Sequence, residues 1–130
     1  MRVAVDTNIL VRAVVHDDPT QGSIAVRLLT DAKLIAIALP CLCELVWVLR
    51  RVHGFPPADA AAIRALLAAA SVETNRPAVE AGLAVLEAGG DFADGVIAHE
   101  GNRLSGETFM SFDQKAVALL VAQGQSARLL

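Results

Sequence analysis

The stretch MRVAVDTNILVR, residues 1–12, decides the fold, because in it a short apolar run passes through one acid into a helical pattern. Residues 2–5 predict a short buried strand, and residues 7–15 predict a helix. An isolated carboxylate at the end of a buried strand costs several kcal/mol unless a hydrogen bond or a cation compensates its charge. Asp6 therefore either caps the following helix or binds a positive charge.

The same alternation of strand and helix signals continues along the whole chain. Asp18-Pro19 is typical of a helix start, with a capping acid before proline at the first helical position. Glycines 54, 89, 90 and 124 predict helix ends. Because helices join parallel strands, the alternation predicts a parallel sheet covered on both faces, within one domain of residues 1–130. Strands are predicted over residues 2–5, 34–39, 71–74, 108–112 and 127–130, and helices over 7–15, 19–30, 40–52, 56–70, 77–88, 91–104 and 114–123.

The composition is unusually apolar, with 55% hydrophobic residues and a mean hydropathy of +0.51. The uncharged run of residues 34–43 is too short for a membrane span, which needs about 20 residues, so we expect no membrane association. Cys41 and Cys43 have the spacing of neither a redox pair nor a zinc site, which predicts buried thiols in a reducing compartment. We therefore expect a cytoplasmic protein with some apolar surface covered by a partner.

Four carboxylates stand out because each lies within or beside an apolar stretch. They are Asp6 in VAVDTN, Glu44 in CLCELVWVL, Asp94 in DFADGVIA and Asp113 in FMSFDQKAV. In parallel sheets ligands gather at the carboxyl ends of strands, where Asp6 and Asp113 are predicted. Converging carboxylates repel one another, and Mg²⁺ or Mn²⁺ would relieve this because these ions prefer oxygen ligands. The four acids are therefore predicted to share a metal pocket.

Each of these polar residues also has a purely structural interpretation. Asp6 and Asp113 are each placed to cap the next helix. Asp91 and Asp94 lie three apart at a helix start, where Asp91 is predicted to cap the helix or support the site and Asp94 to belong to the site. For Glu44, predicted on an apolar helix face, the structural interpretation is the weakest. The supporting residues that either satisfy free backbone groups or hold the site acids are Thr7, Asn8 and Ser111.

The net charge of −3 is unusual for a nucleic-acid-binding domain. Setting the four acids aside leaves ten acids against 11 bases, so the remainder is about neutral. Arg50 and Arg51 either contact phosphates or form the solvated end of a helix, where the helix dipole favours them. Trp47 shares a helix face with Glu44 and is predicted in the core rather than as a base-stacking surface. Asp59 is predicted to be a cap or a solvated acid.

At these blocks the sequence resembles the PIN domain family, and more narrowly the VapC-type toxins of toxin–antitoxin pairs. The matching stretches are VDTNILVR, LCELVWVL, DFADGVIA and SFDQKAV, in the family's order and over almost the whole chain. The resemblance implies a three-layer α/β/α sandwich around a mostly parallel sheet, a homodimer, and a VapB-like antitoxin partner. It also implies an Mg²⁺- or Mn²⁺-dependent ribonuclease site at Asp6, Glu44, Asp94 and Asp113. Gly95 stands where the family more often has alanine, and we expect it to loosen the helix start.

The chemistry expected is metal-assisted hydrolysis of an RNA phosphodiester bond. Asp6, Asp94 and Asp113 would bind the cation, with Glu44 as a direct or water-mediated ligand, and the sequence leaves one or two ions open. The alternative is a catalytically degenerate PIN-like module that binds RNA or protein. The first two helices and residues 41–51 are predicted to bind a short antitoxin segment.

Overall fold

The computed structural model describes residues 1–15, 17–53 and 56–130 of the chain, which form two compact units. The first unit comprises Met1–Asn75 and the second Arg76–Leu130. Each unit contains helices and parallel strands. The predicted helix end at Gly54 lies outside the described residues.

The first unit contains a three-stranded parallel sheet in the order β1-β2-β3. Arg2 pairs with Leu34, and Ile35 pairs with Val72. Because neighbouring strands are parallel, each connection must cross back over the sheet, and both connections do so through helices, as predicted. The elements are β1 (Arg2–Ala4), α1 (Thr7–Val15), α2 (Pro19–Asp31), β2 (Leu34–Ala36), α3 (Leu39–His53), α4 (Pro56–Ala68) and β3 (Val72–Glu73).

Local signals explain most boundaries of the first unit. Asp18 caps α2 by accepting from the backbone N–H of Gln21, as its sequence predicts. The prediction of a buried first strand is wrong for β1, whose residues are exposed or half-buried, and only Val5 after it is buried. The strand predicted to reach Leu39 ends at Ala36, because α3 already begins at Leu39. Fully buried apolar side chains of this unit include Leu10, Ile35, Leu42, Leu45 and Ile63.

The second unit has a two-stranded parallel sheet, with Phe109 paired to Ala127. Its core contains Val85, Ala98 and Leu120. Glycines end two of its helices as predicted, since Gly89 and Gly124 have φ of 98° and 82° in the left-handed region. The elements are α5 (Arg76–Glu87), α6 (Phe92–Arg103), β4 (Phe109–Ser111), α7 (Gln114–Ala122) and β5 (Ala127–Leu129).

Helices α5 and α6 pack through glycines. A Cβ added at Gly95 would lie 2.4 Å from the carbonyl oxygen of Ala81 and 2.8 Å from the Cα of Gly82. Gly95 therefore permits a close approach of two backbones, a role that the sequence did not predict, and the expectation that it loosens the helix start stays a prediction. The α/β class with a mostly parallel sheet is confirmed. No described helix is both long and apolar enough to cross a membrane.

Candidate active site

In the first unit, Asp6 and Glu44 lie at the carboxyl-terminal side of β1. The Cys41 thiol donates to the carbonyl oxygen of Val5 over 3.6 Å, which places the first turn of α3 beside the residue that precedes Asp6. Glu44 follows Cys41 by one helical turn. Cys41 and Cys43 are half-buried thiols, whereas the sequence predicts buried ones.

Asp6 caps α1, because the backbone N–H of Ile9 donates to its Oδ1 over 3.1 Å. The cap uses one carboxylate oxygen, and Oδ2 has no hydrogen bond within the described part of the chain. Since Asp6 is exposed, this second oxygen is open to solvent. Capping and metal binding are therefore compatible for this side chain. Thr7 and Asn8 form the first turn of α1, and no hydrogen bond described for this turn comes from either side chain.

Two side chains of α3 are more exposed than the sequence predicts. Glu44 is exposed, so the argument that a buried Glu44 needs a charged partner does not hold. Trp47 is 60% exposed, and its prediction as a core residue is wrong. The buried face of α3 is formed instead by aliphatic residues, which leaves the Glu44 face of the helix to solvent. These residues are Leu42, Leu45, Val46 and Leu49.

In the second unit, Asp91 and Asp94 lie at the start of α6 with distinct roles. Asp91 is the N-cap and accepts from the backbone N–H of Ala93 over 3.1 Å. Asp94 is half-buried in the first helical turn. Burial raises the pKa of the Asp94 carboxyl above its ordinary value, and the nearby charges of Asp91 and Asp113 raise it further. Asp94 and Asp113, 19 positions apart in the chain, are therefore close enough to repel each other.

Asp113 caps α7 at the end of β4, with the backbone N–H of Ala116 donating to its Oδ1 over 3.0 Å. Its own backbone N–H donates to the Oγ of Ser111 over 2.9 Å. Ser111 therefore holds the turn that presents Asp113, which is the supporting role that the sequence allows. As at Asp6, the cap uses one oxygen and leaves Oδ2 without a described hydrogen bond.

These placements bring part of the predicted site together. Asp94 is near Asp91 and Asp113 in the second unit, while the predicted acids of the first unit are Asp6 and Glu44. Within neither unit do the described residues include three or more His, Cys, Asp or Glu side chains grouped to hold a metal ion. The donors are nevertheless carboxylate oxygens, and the pKa of Asp94 is raised by its burial and, to a smaller extent, by the charges of Asp91 and Asp113. This chemistry fits a hard divalent cation.

Asp59 is an ionisable residue whose environment the sequence did not predict. It is fully buried at 0% exposure, and its Oδ2 accepts from Arg50 Nε over 3.2 Å. Its Oδ1 is buried and has no hydrogen-bond partner among the described residues. The signal was present, because Asp59 lies in the alanine-rich ADAAAI, an apolar setting like those of the four acids. Because Asp59 is buried, the prediction that it is a cap or a solvated acid is wrong.

Comparison with known proteins gives one family match. The family model described as PIN domain matches residues 3–119. The match includes all four acids singled out in the sequence and extends through both units. No curated protein matches the chain significantly.

Proposed function

Because the chain belongs to the PIN domain family, we propose that it is a metal-dependent endoribonuclease that hydrolyses RNA phosphodiester bonds. PIN domains are generally nucleases, and they generally use divalent metal ions. For this chain we propose that Mg²⁺ or Mn²⁺ binds at Asp6, Glu44, Asp94 and Asp113, and that the substrate is RNA. The family match through both units supports a single PIN domain over residues 1–130.

One observation supports this proposal above the others. The pKa of Asp94 is raised by its own burial and by the charges of Asp91 and Asp113. A fold gains nothing by partly burying a carboxylate beside two others, so such an arrangement is typical of functional sites. A bound divalent cation would compensate this repulsion and favour the ionised form of Asp94, opposing the effect of burial.

The side chains have separable roles in the proposed reaction. Asp94 and Asp113 bind the cation through carboxylate oxygens, and Asp113 keeps its cap through Oδ1 while Oδ2 remains available. Asp6 contributes its Oδ2 in the same manner. Glu44 binds directly or through a water molecule. A divalent ion held by these residues would supply a Lewis acid for a phosphoryl oxygen and would lower the pKa of a water molecule.

Supporting residues would fix the geometry of these acids. The Asp91 cap holds the first turn of α6 and adds negative charge beside Asp94. Ser111 holds the backbone at Asp113. Thr7 and Asn8, in the first turn after Asp6, are proposed to hold its carboxylate or a water on the ion.

The biological role we propose is the toxin of a type II toxin–antitoxin pair of the VapBC kind, acting in the cytoplasm as a homodimer. Exposed apolar side chains support a protein partner, since monomeric proteins rarely expose large apolar patches to solvent. The first two helices and residues 41–51 are the proposed antitoxin-binding region. Large exposed apolar residues of the first two helices are Ile24 and Val26.

The test is RNA cleavage by the purified chain with Mg²⁺ or Mn²⁺, and growth arrest when it is expressed alone. We expect Asp94→Asn to lower cleavage by roughly 100-fold and to abolish the arrest. Asp31→Asn, which removes an exposed acid of α2, is the matched control and should cleave normally. If the wild-type chain binds the ions but cleaves none of a diverse set of RNAs, the degenerate binding module is the correct interpretation.

A further inference from the structure

Trp47 and Arg51 form an exposed stacked pair on α3. The guanidinium carbon of Arg51 lies 4.9 Å from the centroid of the Trp47 ring, within the range of a cation–π interaction. Trp47 nevertheless remains 60% exposed, and Arg51 is exposed as well. A large aromatic ring that is held in place by a cation and still open to solvent is available to a further planar partner.

Trp47 and Arg51 lie on the same side of α3 as Glu44, one of the proposed metal ligands. Glu44, Trp47 and Arg51 are three and four positions apart, a spacing that puts them on one side of a helix. With a rise of about 1.5 Å per residue, Trp47 lies about 4.5 Å along the axis from Glu44, and Arg51 about 6 Å beyond Trp47. All three are exposed, while aliphatic residues bury the opposite side of α3.

We propose that this face of α3 binds single-stranded RNA beside the reaction site, with an unpaired base stacked on Trp47 and a phosphate held by Arg51. This inference rests on the proposed function and assigns the side chains that hold the substrate next to Glu44. Stacking on an aromatic ring tolerates any base, because every base has a π face, and arginine adds the charge that the backbone requires.

The charge of Arg51 indicates an anionic occupant, and we assign RNA. Arg51 has no carboxylate within ion-pair distance among the described residues, whereas the neighbouring Arg50 is neutralised by Asp59. A phosphate backbone supplies the missing negative charge. The same face therefore offers both parts of a single-strand binding site, a stacking ring and a cation with no ion pair among the described residues.

The sequence provides a direct probe, because Trp47 is the sole tryptophan and the chain has no tyrosine. The experiment titrates the full chain with single-stranded RNA of mixed sequence, with a chelator present so that no cleavage occurs. We expect tryptophan fluorescence to be quenched by the single strand and much less by a duplex of the same sequence, whose bases are already stacked. RNA binding is measured in parallel by the anisotropy of a label on the RNA.

Variants separate stacking from charge. Trp47→Ala should weaken binding by about 5- to 100-fold, and Trp47→Phe should retain most of the affinity. Arg51→Gln should reduce the salt dependence of binding by about one phosphate contact. Lys33→Gln, at the opposite end of the sheet just before β2, should leave that dependence unchanged. Leu104→Ala removes another exposed apolar side chain and should leave both binding and quenching unchanged.

Three other outcomes separate failure of the RNA-binding face from failure of the proposed nuclease function. If the wild-type chain binds and cleaves RNA while its fluorescence stays constant, the inference is wrong and the proposed function stands. If fluorescence changes with protein concentration alone and RNA has no effect, the face is a contact between copies and the inference is wrong. If single-stranded RNA quenches Trp47 but no divalent metal supports cleavage, the RNA-binding face stands and the proposed nuclease function fails.

Discussion

Replacing Gly95 by alanine tests whether the close packing of α5 on α6 positions the acidic start of α6. The added Cβ would lie 2.4 Å from the carbonyl oxygen of Ala81, against about 3.4 Å for an ordinary contact, so one backbone must move by about 1 Å. The obstructing atoms belong to backbone, including the Cα of Gly82 at 2.8 Å, and no rotation of a side chain can remove them.

The net effect follows from two opposing terms. Overpacking costs about 1–3 kcal/mol, and the upper end applies because backbone must shift. Alanine recovers about 1 kcal/mol through its higher helix propensity. We therefore expect Gly95→Ala to lower the free energy of unfolding by about 2 kcal/mol and the Tm by about 8 °C. Because the shift begins beside Asp94, RNA cleavage well below the Tm should fall as well.

Gly101→Ala is the matched control within the same helix. A Cβ at Gly101 meets no described atom within 4 Å, so alanine there should raise stability by about 0.5–1 kcal/mol and leave cleavage unchanged. Urea unfolding followed by circular dichroism at the helical signal measures both variants. The reasoning is refuted if Gly95→Ala is as stable as the wild-type chain, or if both variants are stabilised alike.

Two further predictions follow from the ionisable residues. Because the pKa of Asp94 is raised in the folded chain, its ionised form is disfavoured there, and the free energy of unfolding falls as pH rises from the unfolded pKa to the folded pKa. Asp94→Asn should therefore raise the Tm of chelator-treated protein at neutral pH. In acid, where Asp94 is protonated in both states, the variant should match the wild-type chain. Equal Tm values at every pH would contradict this. Arg50→Ala should destabilise by about 3 kcal/mol in urea unfolding, because it leaves the buried Asp59 carboxylate unpaired. Asp59→Ala should cost less, since it also removes the unpartnered Oδ1, and the reverse order would disprove the argument.

The helix boundaries could be predicted from sequence because the interactions that set them are local. The carboxylates of Asp18, Asp91 and Asp113 accept from backbone N–H groups two or three residues ahead, and this geometry depends on little else. Gly89 and Gly124 end helices because their backbone adopts positive φ, which glycine tolerates. The acids at strand ends were found by the same local logic.

Burial could not be predicted in this way, because it depends on which distant residues pack against a side chain. Asp59 and Glu44 both lie in apolar stretches, yet packing buries the first against Arg50 and leaves the second in solvent. Trp47, which has the largest side chain of its helix, is exposed. The sequence alone determined where the chain turns and which acids follow its strands. Only tertiary packing decided which charges lose their water, since desolvation is a property of the assembled surroundings.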